Sequence, residues 1–564
     1  MIEGLNPGII LILGALLVPL TSGVIRNIYL LLLPILGLSQ MISLGLGSWG
    51  EIEVLGIALT LTKIDAFSRV FGLIFHIAAF AGILYALHVR DTIQQVATLL
   101  YAGASIAAVF SGDLISLFSY WELTAISSVF LIFASRTERS YNAGMRYLLI
   151  QVSSGVILLA GVILYYADQG HVNFGALELD SLAAWLFLIA FGIKAGFPLL
   201  NNWIQDAYPQ ATVTGTVILS AFTTKLAIYA LARSFAGEDI LLWIGAIMVI
   251  FPVFHATLEN DLRKTMAYSL NSQQGFMVIA IGIGSELALN GVAAHATISV
   301  LYTCLVFMGT GAVLYRNGTA KITELGAVYK SMPVTTFFVI IGSLTIIAFP
   351  LTGAFATKSL ILSASLDMKL VLLWCVMLFG AVAVIDNVGL KIPALGFFKK
   401  DDGRRTKEAP FHMLAAMGLL SACAIWIGLF PAKFFALLPY EMDYHVYTAS
   451  HVVTQLQLII FAALGFALAL RLGVYPAISN SSYLDTDWLY RRLTKKWTIK
   501  ISEWVSLVWA FVIKTGLNLV DRIIEISRQT HGISGTMGRG FSSAVSVFLI
   551  LFILSIFTLI FYGS

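Results

Sequence analysis

The chain has 564 residues, 59% hydrophobic and 11% charged, with a mean hydropathy of +0.89. Soluble domains carry roughly 25% charged residues, so this is a polytopic membrane protein. The net charge of +4 forms no compact basic stripe interleaved with aromatics, which argues against a nucleic-acid surface. Cys304, Cys375 and Cys423 lie in apolar runs without paired spacing and read as small core residues, with no disulfide, metal or iron-sulfur site. No Walker or Rossmann glycine pattern is present, and no cofactor is expected.

The N-terminal MIEGLNPG lacks a basic region ahead of its apolar stretch, so residues 9–20 read as a first mature span rather than a cleaved signal. Apolar windows of about 17–25 residues fall at 7–24, 27–47, 67–88, 94–111, 113–135, 146–168, 183–200, 211–235, 240–257, 265–285, 290–315, 334–362, 369–395, 411–430, 451–472 and 543–562. Most odd-numbered gaps between them are basic, from Arg26, Arg90 and Arg136 through Arg263 and Lys264 to Lys399, Lys400, Arg404 and Arg405. The even ones are acidic or neutral, as at Glu51, Glu53, Glu238 and Asp239. The positive-inside bias places the basic gaps in the cytoplasm and the N-terminus outside, in a bacterial inner membrane. The seventh gap, 201–210, carries only Asp206.

Ionisable residues stand where none is cheap. Lys194 lies in the apolar run from Leu182 to Phe197, and Lys225, Lys358 and Glu122 are similarly embedded. Each costs at least ~2.5–3.5 kcal/mol at bilayer depth, so four together point to an ion pathway. Two helices are interrupted. Phe191-Gly-Ile-Lys194-Ala-Gly-Phe-Pro198 leads into the polar Asn201 to Pro209 stretch, and Phe349-Pro350-Leu-Thr-Gly353-Ala-Phe-Ala-Thr-Lys358 forms a second break, each with a lysine beside it. Paired breaks in corresponding positions predict inverted repeats around a hydrated midplane site. The plain alternative is that Gly and Pro are packing features of membrane helices. The expected fold is all-α, with about fourteen core helices, two inverted five-helix repeats containing the broken helices, and extra C-terminal helices. The expected regions are 1–93, 94–235 and 240–395 for the repeats, 396–472, and 473–564. The 203–208 stretch is expected to be re-entrant or interfacial. Beyond Leu472, basic residues among Trp488, Trp497, Trp504 and Trp509 predict an amphipathic helix on the cytoplasmic face, with 541–562 as an anchor.

Several segments together resemble the antiporter-like subunits shared by Mrp-type sodium/proton antiporters, the membrane arm of respiratory complex I and related hydrogenases. They are Asp113-Leu-Ile-Ser-Leu-Phe-Ser-Tyr-Trp-Glu122-Leu, Lys194-Ala-Gly-Phe-Pro through Trp203-Ile-Gln-Asp206-Ala, Thr224-Lys225-Leu-Ala-Ile-Tyr-Ala-Leu, Asp261-Leu-Arg-Lys264-Thr-Met-Ala-Tyr268-Ser and Gly353-Ala-Phe-Ala-Thr-Lys358. The likeness spans roughly 65–430. With Leu484-Asp-Thr-Asp-Trp488-Leu-Tyr-Arg491-Arg492, it resembles the D-type Mrp subunits most.

The resemblance implies that Glu122 and Lys194 are the fifth-helix glutamate and seventh-helix lysine of a toggling pair. A nearby carboxylate favours a charged lysine and desolvation the neutral one, so separating the pair releases a proton. A static buried salt bridge is the alternative. Lys225 resembles the eighth-helix carrier and Lys358 the twelfth-helix lysine that ends the relay. The rival readings are a snorkelling residue for Lys225 and a residue bonding orphan carbonyls for Lys358. Where many members place two histidines and a lysine at four-residue spacing, this chain reads His295, Ser299, Thr303. Only His295 titrates, whereas Ser299 and Thr303 can hold water or pass a hydrogen bond. His255 and Glu259 are a weaker cluster near the cytoplasmic edge, and Asp386 with Asn387 is a polar spot without a role. The expected function is a proton-translocating subunit of a multisubunit Na+/H+ antiporter, working with other subunits in the lipid bilayer. The alternatives are a proton-pumping subunit of a redox complex and a proton-driven partner of an inorganic-carbon uptake protein.

Overall fold

The computed structural model describes residues 4–478 except 402, then 485, 488, 492, 494–532 and 540–562. Among these, twelve helices are long and apolar enough to cross a membrane, and Pro7–Leu20, Leu182–Ala195 and Pro333–Ile346 are shorter apolar helices. The chain forms two units, Met1–Tyr483 and Leu484–Ser564.

The first unit opens with α1 (Pro7–Leu17) and α2 (Gly23–Leu44). An antiparallel hairpin follows, β1 (Gly47–Val54) and β2 (Ile57–Ile64), where only a connecting gap was expected. Its two-residue turn places Leu55 and Gly56 at φ 52° and 80°, the left-handed geometry of tight hairpins. The alternation in Leu59-Thr-Leu-Thr-Lys-Ile64 was the available signal. Then come α3 (Ala66–Tyr85), α4 (Thr92–Val109), α5 (Leu114–Phe133), α6 (Glu138–Gln169) and α7 (Leu182–Ala195). Next are the short α8 (Asn202–Ala207), α9 (Val213–Ala221), α10 (Thr223–Ser234), α11 (Asp239–Leu258), α12 (Leu262–Ile283) and α13 (Glu286–Asn317). The single-turn α14 (Val328–Ser331) precedes α15 (Pro333–Ile346), α16 (Gly353–Asp367) and α17 (Val371–Val384), which continues as a π-helix over Ile385–Phe397. The unit closes with α18 (Phe411–Leu429), α19 (Pro431–Phe435) and α20 (Ala449–Arg471).

The window expected at 146–168 begins eight residues earlier because Thr137 and Ser140 form a capping box at the start of α6. The window at 334–362 is two helices, α15 and α16, as the predicted break requires. Of the cysteines, Cys304 is buried, but Cys375 is exposed on α17 and Cys423 half-buried, so Cys375 is not the core residue expected. On a membrane helix the outward face meets lipid, which accepts a small apolar thiol as readily as a protein core does.

Repeat architecture is visible in the backbone. Both α6 and α13 have 32 residues, and both α7 and α15 have 14. Asp113 and Asp261 cap α5 and α12, and each lies in an isolated antiparallel bridge to the loop after the following long helix, at Asn173 and at Lys321. The bridge bonds correspond: Leu114 N to Val172 O (2.8 Å) and Phe174 N to Gly112 O (3.0 Å) in one, Leu262 N to Ala320 O (3.0 Å) and Ile322 N to Asn260 O (2.9 Å) in the other. The spans α5, α6, α7–α8, α9–α10 and α11 separate the two turns, so the repeats are inverted. Bonds between loops respect the same two faces. Arg136 reaches Asp91, Arg146 reaches Asp206, Arg263 reaches the Ala211 carbonyl and Lys330 reaches Asp401, all in or at the edge of odd-numbered gaps. Arg233 reaches Asp65, and the Asp113 carboxylate accepts from Thr60 N, in or at the edge of even ones.

In the second unit, α21 (Lys495–His531) runs for 37 residues and is followed by α22 (Ser543–Tyr562). Trp497, Ile501, Trp504, Val508 and Phe511 recur at helical spacing along one face of α21, the amphipathic pattern expected. Most of the Leu484 to Arg492 motif, Arg491 included, lies outside the described residues.

Candidate functional site

The first break sets the position of Lys194. Gly196 ends α7 in the left-handed conformation (φ 81°, ψ 45°), and Phe197 N returns to Gly192 O at 2.9 Å. A Cβ on Gly196 would stand 2.6 Å from Asn271 Oδ1 of α12, so both backbone conformation and close approach demand glycine. Lys194, in the last turn, is fully buried. Its Nζ donates to Trp121 O (2.7 Å) and Thr124 Oγ1 (3.0 Å) and lies 4.3 Å from the Trp121 ring centre. Trp121 is fixed in turn by Nε1 donating to Ser154 Oγ, at 3.0 Å.

Glu122 is the next residue on α5, yet it forms no ion pair with Lys194; Glu122 Oε1 is buried without a partner among the described residues. A methyl group on Gly155 of α6 would overlap this carboxylate, so α6 supplies a slot for it. The Trp121 carbonyl thus holds Lys194 while Glu122 sits against Gly155, and the two do not form the direct pair of a static salt bridge.

The 203–208 stretch is α8 and the turn beyond it, with Trp203, Ile204, Gln205 and Tyr208 buried. It packs inside the protein and does not lie on its surface: Trp203 Nε1 donates to Ile193 O (2.9 Å), and the Arg146 guanidinium grips Asp206 at 2.7 and 3.0 Å. The α9–α10 helix is itself disturbed at Phe222 (φ −108°, ψ −67°), which the sequence did not reveal. The carbonyls freed there are taken by Tyr208 OH on Leu219 O (2.8 Å) and by Lys225 Nζ on Ser220 O (3.1 Å). Lys225 is fully buried.

On the central α13, His295 Nδ1 meets Thr357 Oγ1 at 3.1 Å, and its Nε2 has no partner among the described residues. Thr357 directly precedes Lys358 on α16, so the histidine contacts the helix turn that carries the lysine. Ser299 and Thr303 are fully buried on the same helix, and the Thr303 hydroxyl is unpartnered. Lys358, in the first turns of α16, reaches back across the second break to Ile346 O, the last residue of α15, at 2.7 Å. The two breaks therefore place their lysines differently: Lys194 precedes its break and Lys358 follows its own. Non-glycine residues hold positive φ at the breaks, Leu199 at 70°, Ala348 at 59° and Leu351 at 73°. Such backbone strain persists only where the surroundings impose it.

Many other buried polar atoms have no protein partner among the described residues: those of Gln151, Gln205, Gln273 and Gln274, and the oxygens of Asn201, Asn271 and Thr224. Each unpaired group costs about 1–3 kcal/mol, and a cluster of them is the kind of polar lining that ordered water satisfies.

His255 lies elsewhere, stacked on Tyr268 (5.3 Å) at the end of α11, where Lys264 pairs with Glu259 at 2.8 Å. Sequence reading missed Lys391 in this region. It is fully buried on the π-helix, and its Nζ donates to the carbonyls of Ala256, Thr257 and Glu259 at 2.8, 2.8 and 2.6 Å, capping α11. Beside it, Asn387 donates to Val253 O (3.1 Å) and Asp386 accepts from Tyr475 OH (3.1 Å), which accounts for the polar spot. A lysine within the 369–395 span was the available signal. Among the described residues no group of three His, Cys, Asp or Glu side chains is placed to hold a metal.

Residues 111–384 match the family described as NADH:quinone oxidoreductase/Mrp antiporter, TM. Hydrogenase-4 component B of Escherichia coli (strain K12) is 27% identical over 350 residues, covering 55% of this chain and 52% of that protein. The D-type Na(+)/H(+) antiporter subunit of Alkalihalophilus pseudofirmus is 24% identical over 349 residues, covering 58% and 71%. The matched stretch thus spans about half of the first relative's length and about seven-tenths of the second's. Among solved structures, a chain of the membrane-bound sulfane sulfur reductase, an archaeal respiratory membrane complex, superposes with TM-score 0.70 at 19% identity, covering 98% of this chain and 99% of that one. A chain of the Mrp complex from Dietzia sp. DQ12-45-1b gives 0.76 at 20% identity, covering 92% and 62%. At these identities the structures establish the shared fold.

Proposed function

We propose, from the premise that this chain carries the NADH:quinone oxidoreductase/Mrp antiporter membrane domain over residues 111–384, that it is a proton-translocating subunit of a multisubunit Na+/H+ antiporter. It works beside other membrane subunits in a bacterial inner membrane, with its N-terminus outside and its basic loops in the cytoplasm. Its functional repeats are 94–235 and 240–395.

One observation carries the reading. Lys194, Lys225 and Lys358 are buried, each is held by a backbone carbonyl, and none has an ion pair among the described residues. A carbonyl stabilises an ammonium far less than a carboxylate does, so none of the three amines is locked in a permanent ion pair. Glu122 sets the charge state of Lys194 from beyond contact distance. His295, through Thr357, connects the central helix to Lys358. Water along the unpaired amides and hydroxyls completes the proton path between these stations.

The reading is tested in everted vesicles carrying the whole complex, by following the pH change on adding sodium. Glu122→Gln and Lys194→Ala should each abolish exchange at normal protein levels. Wild-type exchange by either variant would remove the pair from the mechanism.

A second reading, a proton-pumping membrane subunit of a redox complex, is favoured by the nearly end-to-end match to a chain of an archaeal respiratory membrane complex. Co-purification with subunits holding iron-sulfur centres would decide for it.

A further inference from the structure

A cavity of about 510 Å³ lies where the α1–α2 turn meets the α3–α4 turn, lined by Ser22, Arg26, His88, Arg90 and Gln95 among others. None of its lining residues is acidic. The acid next in the chain, Asp91, is already engaged by Arg136 at 3.2 Å and by the amide of Ile93 at 3.0 Å.

The two arginines differ in a useful way. Arg26 is held in place: its Nε donates to Thr21 O (2.8 Å) and its Nη1 to Thr92 Oγ1 (3.0 Å) and Gln95 Oε1 (3.3 Å). None of these partners neutralises its charge. Arg90 is exposed and makes no ion pair among the described residues. Ser22 starts α2 without a side-chain cap, so the first amides of that 22-residue helix add their positive end to the same cavity wall. Directly along α2 from the cavity runs an outward apolar stripe, with Val24, Ile25, Ile28 and Leu32 exposed at 73%, 72%, 55% and 46%. A cationic cavity at the end of a span, continuous with a lipid-facing apolar stripe, has the two-part chemistry of an anionic phospholipid: a phosphate at the arginines and acyl chains along the helix.

We propose that this cavity binds the phosphate of an anionic glycerophospholipid, with Arg26 and Arg90 as its cationic contacts and α2 as the acyl track. Bound there, the lipid bridges the N-terminal helices to the α3–α4 turn. That turn is tied to the C-terminal part of the unit by His88 Nδ1 and His412 Nε2, 2.9 Å apart.

The test uses the full chain in its complex, in nanodiscs of phosphatidylcholine with increasing phosphatidylglycerol, reading retained lipid by native mass spectrometry and thermal unfolding in parallel. Wild type should retain phosphatidylglycerol selectively. Arg90→Gln should weaken retention about fivefold, the factor carried by one interfacial arginine, with folding unchanged because the side chain is exposed. Arg139→Gln, an exposed arginine on the same face but outside the cavity, should behave as wild type. Equal retention of the two lipids, or loss in Arg139→Gln equal to that in Arg90→Gln, would overturn the site. Inorganic phosphate in detergent, stabilising wild type and not Arg90→Gln as fully as phosphatidylglycerol does, would overturn the lipid in favour of a free anion.

Discussion

Replacing Gly155 by alanine isolates the position of Glu122 from its charge. The added methyl would overlap Oε1 and Cδ of Glu122 and stand 3.0 Å from its Cγ. Regaining an ordinary contact near 3.5 Å requires the carboxylate to withdraw by ~2 Å. The obstacle is the far end of a flexible side chain, so the fold adapts at a rotamer cost of about 0.5–1.5 kcal/mol. Alanine in place of a helical glycine returns about 0.8–1.0 kcal/mol. Net stability should therefore stay within about 1 kcal/mol of wild type. Transport should not, because a displacement of even ~1 Å from a required geometry can cost on the order of 10²-fold. The assay is sodium-driven pH change in everted vesicles, with protein level and thermal unfolding measured on the same preparation. Gly161→Ala serves as control: it lies on the same helix and its Cβ would press to 2.7 Å on the Phe187 ring, with no charged group involved. Wild-type exchange by a normally folded Gly155→Ala would refute the claim that the seat of Glu122 governs Lys194.

Lys358→Arg should fail nearly as badly as Lys358→Ala, because a guanidinium stays protonated up to a pH beyond ~12; near-normal exchange by the arginine variant beside a dead alanine variant would show that charge matters and titration does not. His295→Ala should slow exchange more than Thr303→Val, and the reverse order would move the central proton step off the histidine. Lys391→Met should lower stability by on the order of 1–3 kcal/mol, because it strips the donor from three carbonyls at the end of α11; an unchanged unfolding temperature would refute the capping role. Burial, then the neighbouring His412, hold the His88 imidazole below its usual value against an opposing hydrogen bond to the Tyr85 backbone, with Arg316 adding least. The unfolded chain therefore binds that proton more tightly: stability is whole above about pH 6.5 and falls as the pH drops below it. His88→Gln should flatten the decline in unfolding temperature between pH 7.5 and 5.5, and an identical decline in wild type and variant would refute it.

Much of this molecule is determined by its sequence alone, because the bilayer leaves few options. A run of about twenty apolar residues has no other stable place, and an ionisable residue inside it is too costly to be incidental. Hence the spans and both breaks were legible in the chain, as was the embedding of the candidate residues Glu122, Lys194, Lys225, Lys358 and His295, the last four of which are buried. What each side chain touches was not. Whether Glu122 grips Lys194 depends on how α5, α6 and α7 rotate against one another, and that packing gives the lysine to the Trp121 carbonyl and the glutamate to the slot at Gly155. The disturbance at Phe222, the burial of α8 and the partners of Lys391 follow from contacts between distant helices, which no local pattern encodes. The hairpin escaped notice because its strands mix apolar and polar residues in a stretch lying between two stronger apolar signals. Hydrophobic length fixes which segments cross the membrane; only the fit of helix against helix decides which of their polar groups meet.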